Sequence, residues 1–409
     1  MGVAVENIFE EYLSKRPIFS NKDTLSIKYN PNNIPHREEQ ISTIAKILAP
    51  CLRMENPSNI FIYGKTGTGK SLCADYVCNQ LSNISKKKNI PLKVVYLNCK
   101  MRKVADTEYR LVAQIAREFG QIVPATGLPT SEVYKIFYDA IDDKERIVIL
   151  VLDEIDKLLE KCGDEVLYNL TRMNQELRKA KLNLIGISND VTFINNLDPR
   201  VRSSLNEEEL VFPPYDALQI KDILKERAEQ AFNENVVSES VISKCAAYAA
   251  REHGDARRAL DLLRVAGELA ERTGKDKVEE EDVDLAEEKI EKETVEELIS
   301  KLPKQSQSVL YAALMLFKNR EEEGVYTGEI YDVYKSICIR TSTKPLTQRR
   351  VSDLIAELDM LGIINANVIS KGRYGRTREI SLSISKDIVG NVGTSLKSEL
   401  GLWRYLWIV

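Results

Sequence analysis

The stretch from Phe61 to Ser71, FIYGKTGTGKS, decides how the rest of the chain is interpreted. The apolar run from Ile60 to Tyr63 predicts a buried strand, which leads directly into the pattern G-x-x-x-x-G-K-S at 64–71. A helical pattern follows, so the motif has the strand-to-helix context that a P-loop requires. Glycines let backbone N–H groups turn inward around a phosphate, and the helix N-terminus adds a positive dipole end. The stretch therefore predicts a phosphate-binding site for a nucleotide.

A second apolar run predicts the central strand of a parallel sheet. Residues 147–152, IVILVL, are apolar throughout, as expected for a strand that is buried on both faces. Asp153 and Glu154 follow at its carboxyl end, which is typical of a Walker B motif. Asp153 is predicted to hold Mg²⁺ together with Ser71, and Glu154 to orient or deprotonate the attacking water. The alternative is a strand that ends in a solvated acidic turn.

Polar residues after two further elements complete the predicted nucleotide site. The strand 182–188 ends next to Asn189, which can contact the γ-phosphate or the lytic water; alternatively, it only forms a turn. Asp255 is a good N-cap, so Arg257 lies in the first turn of a helix, where the helix dipole disfavours a cation. A bound anion would explain that position, whereas the alternative is a surface arginine. Glu154, Asn189 and Arg257 are the predicted catalytic residues. The predicted nucleotide-binding residues are Gly64, Lys65, Thr66, Gly67, Thr68, Gly69, Lys70, Ser71, Leu72, Asp153, Tyr215 and Arg257.

The C-terminal part predicts a winged helix, that is, three helices followed by a β-hairpin. Val351, Leu354, Ile355 and Leu358 form one apolar stripe of the third helix, for which Thr347 is the expected N-cap. Residues 340–378 hold eight basic and three acidic residues, a net charge of +5 in an acidic protein. Such clustering favours DNA binding by the third helix and the hairpin tip, although a winged helix that binds protein is the alternative. The predicted DNA-binding residues are Thr347, Arg349, Arg350, Lys371, Gly372, Arg373, Tyr374, Gly375 and Arg376.

Bulk properties exclude several other classes of protein. No apolar run approaches the roughly 18 residues of a membrane helix, and the N-terminus has no secretory pattern. The seven cysteines include no C-x-x-C pair, and only two histidines are present, which argues against a zinc site or a disulfide framework. We expect reduced thiols and a cytoplasmic, nucleoid-associated protein without a membrane partner.

Taken in order, these motifs resemble the archaeal origin-recognition branch of the AAA+ ATPases. The resemblance covers roughly residues 15–390, and its most specific stretches are PHRE at 35–38, GISND at 186–190, LDPRVRSSL at 197–205 and GDARRALDLL at 254–263. It implies an α/β AAA+ domain at 1–214, a helical lid at 215–294, a winged helix at 295–395 and a tail at 396–409. It also implies that Asn189 is sensor 1, that Arg257 is sensor 2, and that the segment 29–38 lies near the adenine.

The function implied by the resemblance is ATP-dependent initiation of DNA replication. ATP or ADP with Mg²⁺ would act as a slowly hydrolysed switch, while the winged helix and an insertion around 106–130 grip duplex origin DNA. Other initiator subunits and the replicative helicase are the implied partners. Many relatives carry Ser-Arg at the arginine finger, where this chain has Ser203 and Ser204, so Arg200 or Arg202 would have to substitute. The alternative is a clamp-loader-like or signalling ATPase whose winged helix binds protein.

Overall fold

The computed structural model shows a chain that folds as two compact units, with the boundary between Asp284 and Leu285. The structure describes residues 10, 17–26, 29–31, 33–100, 107–124, 126–190, 192, 197–205, 207–319, 324–370, 376–383 and 386–402. No helix in these ranges has the length and apolar character needed to cross a membrane.

A five-stranded sheet forms the centre of the first unit. Its strands are β1 (Asn59–Tyr63), β2 (Leu92–Asn98), β3 (Arg146–Asp153), β4 (Ala180–Ser188) and β5 (Glu207–Val211). They lie in the order β2-β3-β4-β1-β5, and every pairing is parallel. In the register of the sheet Asp153 lies opposite Ile187, and Tyr63 lies opposite Ser188. The ends of β1, β3 and β4, which carry the nucleotide motifs, therefore meet at one edge.

Helices cover both faces of this sheet. The helices of the unit are α1 (Glu38–Leu48), α2 (Lys70–Lys87), α3 (Glu108–Glu118), α4 (Thr130–Ile141), α5 (Ile155–Cys162), α6 (Glu165–Arg172), α7 (Pro199–Leu205), α8 (Ala217–Ala231), α9 (Glu239–Arg251) and α10 (Ala256–Thr273), with 3-10 turns at Lys22–Leu25, Ala49–Arg53 and Met173–Gln175. Val148 and Leu150 of β3 pack in a core with residues of α3 to α6, whereas Ile147 and Ile149 pack in a second core with α1 and α2. The predicted α/β domain with a strand buried on both faces is confirmed.

Helices α8 to α10 form the predicted lid, and the N-terminal segment is attached to it. Phe19 stacks on Phe232 with ring centroids 4.7 Å apart, and the Ser20 backbone N–H donates to the Ala231 carbonyl at 2.9 Å. The contact shows that residues 17–25 are part of the lid's packing.

The second unit is a winged helix, as predicted. Its elements are α12 (Lys304–Asn319), β6 (Val325–Tyr326), α13 (Thr327–Arg340), α14 (Gln348–Met360), β7 (Ile364–Ser370), β8 (Arg376–Leu382) and α15 (Lys386–Glu399), and the boundary between the units falls within α11 (Glu280–Lys301). The strands form an antiparallel sheet in the order β6-β8-β7. The apolar stripe of α14 is buried in the core, and the Thr347 side chain caps this helix by accepting from the Arg350 N–H.

Some further features concern individual helices. Helix α6 ends at Arg172, and Asn174 then bonds to the backbone of Leu182 through both its amide nitrogen and its carbonyl oxygen. Helix α13 begins at Thr327, directly after the short strand β6. The sequence did not predict α15, whose glycines and serines are weak helix formers. Its Val392 and Leu396 are fully buried, so packing stabilises this helix.

Candidate functional site

A cavity of about 320 Å³ lies beside the P-loop in the first unit. Its wall combines the segment around Tyr29 and Pro35, the P-loop with the start of α2, and the lid helices α8 and α10. Of the predicted nucleotide-binding residues, those in the wall are Gly67, Gly69, Ser71, Leu72, Tyr215 and Arg257. Cavities of about 300–1,000 Å³ hold small ligands. The cavity is therefore large enough for a nucleotide.

The P-loop itself has the backbone geometry that the motif predicts. Gly67 and Gly69 have φ values of +70° and +90°, which side-chain-bearing residues rarely adopt. Lys70 starts α2 and is only 5% exposed. Its Nζ donates to the carbonyls of Gly64 at 2.7 Å and Lys65 at 2.6 Å. The lysine thus lies against its own loop, at the N-terminal end of the helix.

The electrostatics of Lys70 favour a bound anion. Burial, together with repulsion from Arg257, lowers the pKa of Lys70 to about 8, although the carboxylates of Asp153, Asp156 and Asp255 act in the opposite direction. Arg257 lies in the first turn of α10, where Asp255 accepts hydrogen bonds from the N–H groups of Arg257 and Arg258 as predicted. Negative charge near these two cations would stabilise both of them.

Close backbone contacts join the lid to the P-loop. The Ala256 N–H donates to the Gly67 carbonyl at 3.3 Å. A Cβ atom on Gly67 would lie 1.7 Å from the Asp255 carboxylate, and one on Gly254 would lie 2.3 Å from the Tyr215 carbonyl. The contact between the P-loop and the start of α10 therefore requires glycine at position 67, and the packing of the start of α10 on Tyr215 requires glycine at position 254.

The two Walker B carboxylates have different surroundings. Asp153 is 8% exposed; its Oδ1 accepts from the Glu154 N–H at 2.9 Å and its Oδ2 accepts from the Tyr96 hydroxyl at 2.7 Å. Glu154 has a φ of +55° and forms an ion pair with Lys100, with 3.6 Å between Oε2 and Nζ. Neither carboxylate is in the cavity wall, but both lie beside it, at the carboxyl end of β3.

Asn189 follows β4 at the same edge and is held through its backbone. Its N–H donates to Asp156 Oδ1 at 3.4 Å, and the Ser188 hydroxyl donates to the same oxygen at 3.1 Å. Asp156 belongs to α5, directly after the Walker B motif. The sequence analysis missed this carboxylate, which ties the Asn189 segment to the Walker B helix.

Arg37 is a second residue whose role sequence reasoning missed. It is 2% exposed, and its guanidinium donates to the carbonyls of Thr68 at 2.9 Å, Pro213 at 2.6 Å and His36 at 3.3 Å. It also stacks 3.9 Å from the ring centroid of Tyr215. Arg37 therefore braces the P-loop against the end of the sheet. The sequence did contain a signal for this residue. Arg37 lies directly before a helix, where the helix dipole disfavours a cation, and the same argument pointed to Arg257.

The residues at the strand edge fit a magnesium-bound nucleotide. The Ser71 hydroxyl and the Asp153 carboxylate are oxygen ligands of the kind Mg²⁺ takes, and the Tyr96 hydroxyl donates to the carboxylate. Burial, followed by the nearby Asp153 carboxylate, raises the pKa of Tyr96, so its hydroxyl keeps its proton.

In the winged helix, the predicted DNA-binding residues Thr347, Arg349 and Arg350 lie at the surface. Arg349 and Arg350 are exposed at the start of α14, and Arg350 lies 3.7 Å from Asp353 and 3.6 Å from Glu357. Arg376 begins β8. The remaining predictions at the hairpin tip, Lys371, Gly372, Arg373, Tyr374 and Gly375, lie outside the described residues.

The two candidates for an arginine finger are both exposed on α7. Arg200 forms a two-point contact with Asp198, through Nε at 3.2 Å and Nη2 at 3.1 Å. Arg202 is exposed one half-turn further on. The position of neither side chain distinguishes them, and the assignment of a finger stays a prediction.

A P-loop sheet, a helical lid and a winged helix together define an AAA+ ATPase with a DNA-binding type of C-terminal domain. Three family descriptions match the chain accordingly: an AAA domain at residues 53–190, a Cdc6 AAA+ ATPase-type lid domain at 221–288, and a CDC6 C-terminal winged helix domain at 297–392.

The similarity to individual proteins extends over almost the whole chain. The ORC1-type DNA replication protein of Thermococcus onnurineus is 56% identical over 392 residues, which cover 95% of this chain and 94% of that protein. ORC1-type DNA replication protein 1 of Methanosarcina mazei is 55% identical over 383 residues, 93% of this chain and 91% of that protein. The Aeropyrum pernix ORC1 protein, solved in complex with DNA, matches with a TM-score of 0.83 and 44% identity over 96% of this chain and 100% of that one. The chain belongs to the ORC1-type family of DNA replication proteins.

Proposed function

We propose that this chain is an ATP-dependent replication initiator in which the nucleotide controls binding to duplex origin DNA. The observation that carries the proposal is the shared wall of the cavity, which includes both the P-loop and Arg257 of the lid. A ligand in this cavity would contact both elements at once. Its phosphates could therefore favour one position of the lid, which is how a nucleotide acts as a switch.

In the proposed ATPase reaction, each of the polar side chains around the carboxyl ends of the strands has its own role. Lys70 and Arg257 neutralise phosphate charge, and Ser71 with Asp153 would hold Mg²⁺, which stabilises charge on the phosphate oxygens when bound. Glu154 orients the attacking water, and Asn189 contacts the water or the terminal phosphate. The ion pair between Glu154 and Lys100 competes with that role of Glu154, in keeping with slow hydrolysis. We expect holding ATP to matter more than turning it over.

For DNA binding, the proposal rests on α14 and on the relative from Aeropyrum pernix. That protein was solved in complex with DNA and is 44% identical to this chain. Arg349 and Arg350 lie at the N-terminal end of α14, where a recognition helix enters the major groove. The segment around 106–130, which includes α3 and ends at the start of α4, would supply a second contact. Other initiator subunits and the replicative helicase are the proposed partners.

Selection of bound genomic fragments at a defined salt concentration tests the DNA-binding part. We expect enrichment of a few loci, footprints in which the ATP and ADP states differ, and reduced protection in Arg349→Ala and Arg373→Ala. Lys335→Ala is a matched control, since this lysine lies on α13 and not on α14, and is paired there with Asp332. Uniform recovery of fragments, or footprints that are the same in all variants, would instead favour a winged helix that binds protein.

The ATPase part needs separate measurements of binding and turnover. Glu154→Ala should bind ATP normally and lose roughly a hundredfold or more in turnover, as expected when a general base is removed. Glu160→Ala is the control, because this glutamate is exposed and paired with Lys157 away from the cavity. Normal hydrolysis by Glu154→Ala would show that the base is assigned wrongly.

A further inference from the structure

Tyr96 is a polar residue of the nucleotide cavity that belongs to none of the motifs. It lies on β2, which is an outer strand of the sheet, and its side chain is part of the cavity wall. Its hydroxyl donates to Asp153 Oδ2 at 2.7 Å, and Ser71 lies in the same cavity wall. The phenol thus contacts one of the two side chains that are proposed to hold Mg²⁺.

The register of the sheet explains how Tyr96 reaches this position. Tyr96 lies opposite Val151 and Asn98 lies opposite Asp153, so Asp153 is a diagonal neighbour of Tyr96. Diagonal neighbours in a sheet are about 7–8 Å apart, which an aromatic side chain can span. A shorter hydroxyl at position 96 could not reach the carboxylate.

The bond to Tyr96 completes the fixation of the Asp153 carboxylate. Oδ1 accepts from the Glu154 N–H at 2.9 Å and Oδ2 accepts from Tyr96, so each oxygen has a donor that opposes rotation of the group. Asp153 is 8% exposed, and little water is available to replace either donor. Partners of this kind, one step away from a metal, orient the ligands and tune the affinity for the metal.

We propose that Tyr96 is a positioning residue of the Mg²⁺ site: it holds the Asp153 carboxylate in the orientation that the metal requires. The proposal rests on the proposed function, because it assumes that the nucleotide binds with Mg²⁺. Tyr96 itself does not contact the reacting atoms. Its effect should therefore appear in the Mg²⁺ dependence of nucleotide binding and not in the affinity for the nucleotide alone.

The test is a titration of Tyr96→Phe with Mg²⁺ at a fixed concentration of a fluorescent ATP analogue, repeated in excess EDTA. Removal of a partner of this kind typically costs about 10- to 100-fold in metal affinity, so we expect the Mg²⁺ concentration for half-maximal binding to rise about tenfold. Binding in EDTA should stay within about twofold of the unsubstituted protein, since the P-loop contacts to phosphate are retained.

Tyr134→Phe is the matched control. The Tyr134 hydroxyl donates to Glu108 Oε1 at 2.7 Å. This hydrogen bond from a tyrosine to a carboxylate has the same length as that of Tyr96, but it joins α4 to α3. We expect its Mg²⁺ titration to match that of the unsubstituted protein. An equal shift in both variants, or no shift in Tyr96→Phe, overturns the positioning role while leaving the proposed function intact. If the unsubstituted protein binds the analogue equally well in Mg²⁺ and in EDTA, both the Mg²⁺ site and the role of Tyr96 are wrong.

Discussion

The nucleotide cleft and the start of α14 in the winged helix differ in how far their charged side chains are exposed and how firmly they are held. In the cleft, Lys70, Asp153 and Arg37 are all less than one-tenth exposed, and each is held by specific hydrogen bonds. On α14, Arg349 and Arg350 are exposed, and Arg350 forms long ion pairs with Asp353 and Glu357 of its own helix. The cleft is organised in advance for one ligand, whereas the arginines can adjust to the position of a phosphate.

This difference has an energetic consequence. A buried polar group that loses its partner cannot form a hydrogen bond with water instead. A single substitution in the cleft should therefore have a large effect on affinity or stability. Exposed basic residues act mainly through charge that salt screens, so each should contribute little and together they should contribute much. The following predictions test the contrast, in order of decreasing expected effect.

The largest effect is expected for Lys70→Ala. The variant removes a buried ammonium that contacts the phosphate loop, which typically costs at least about 3 kcal/mol in binding, or more than about a hundredfold. Calorimetric titration with ATP measures the loss. Lys87→Ala is the control, because this lysine is exposed at the other end of the same helix α2. Equal affinities of Lys70→Ala and the unsubstituted protein would contradict a cleft that is organised around this lysine.

Arg37→Ala should destabilise the first unit even without a ligand. The substitution leaves the carbonyls of Thr68 and Pro213 without their charged donor, which should lower the free energy of unfolding by about 2–4 kcal/mol. Denaturant unfolding measures it. Arg200→Ala, at a side chain that is 84% exposed, should leave the unfolding curve unchanged. If both variants unfold alike, the bracing role of Arg37 is wrong.

Gly254→Ala should push the lid away from the P-loop. The new Cβ would meet the Tyr215 carbonyl at 2.3 Å, and such overpacking costs about 1–3 kcal/mol. We expect ATP affinity to fall about tenfold, because Arg257 is displaced with the lid. Gly120 has a similarly positive φ, but a Cβ there meets nothing within 4 Å. Gly120→Ala thus separates backbone strain from the clash, and an equal loss in both would refute the lid contact.

The smallest single effects are expected on the winged helix. Arg349→Ala and Arg350→Ala should each weaken DNA binding only a few-fold at moderate salt, and each should reduce the salt slope of log K by about one. Binding measured at several salt concentrations gives the slope. A hundredfold loss from either variant at unchanged slope would show that the arginine is held as rigidly as the residues of the cleft.

The sequence predicted the elements whose chemistry is local. The P-loop, the buried strand before Asp153, the capping of α10 by Asp255 and the apolar stripe of α14 were all predicted from spacing, because each depends on neighbours along the chain. Strand β6 was missed because two residues carry no periodic signal. Helix α15 was missed because its residues favour a helix only when Val392 and Leu396 are packed.

The sequence by itself thus determined the kind of protein and the residues that are predicted to bind phosphate. Only the tertiary structure decided how those residues are held: Arg37 against Thr68, Tyr96 against Asp153, and Asp156 against the segment of Asn189. The physical reason is that these partners lie on different strands and helices, many residues apart. Spacing along one chain segment indicates which side chains share a face, but only the register of the sheet and the docking of the lid decide which faces meet.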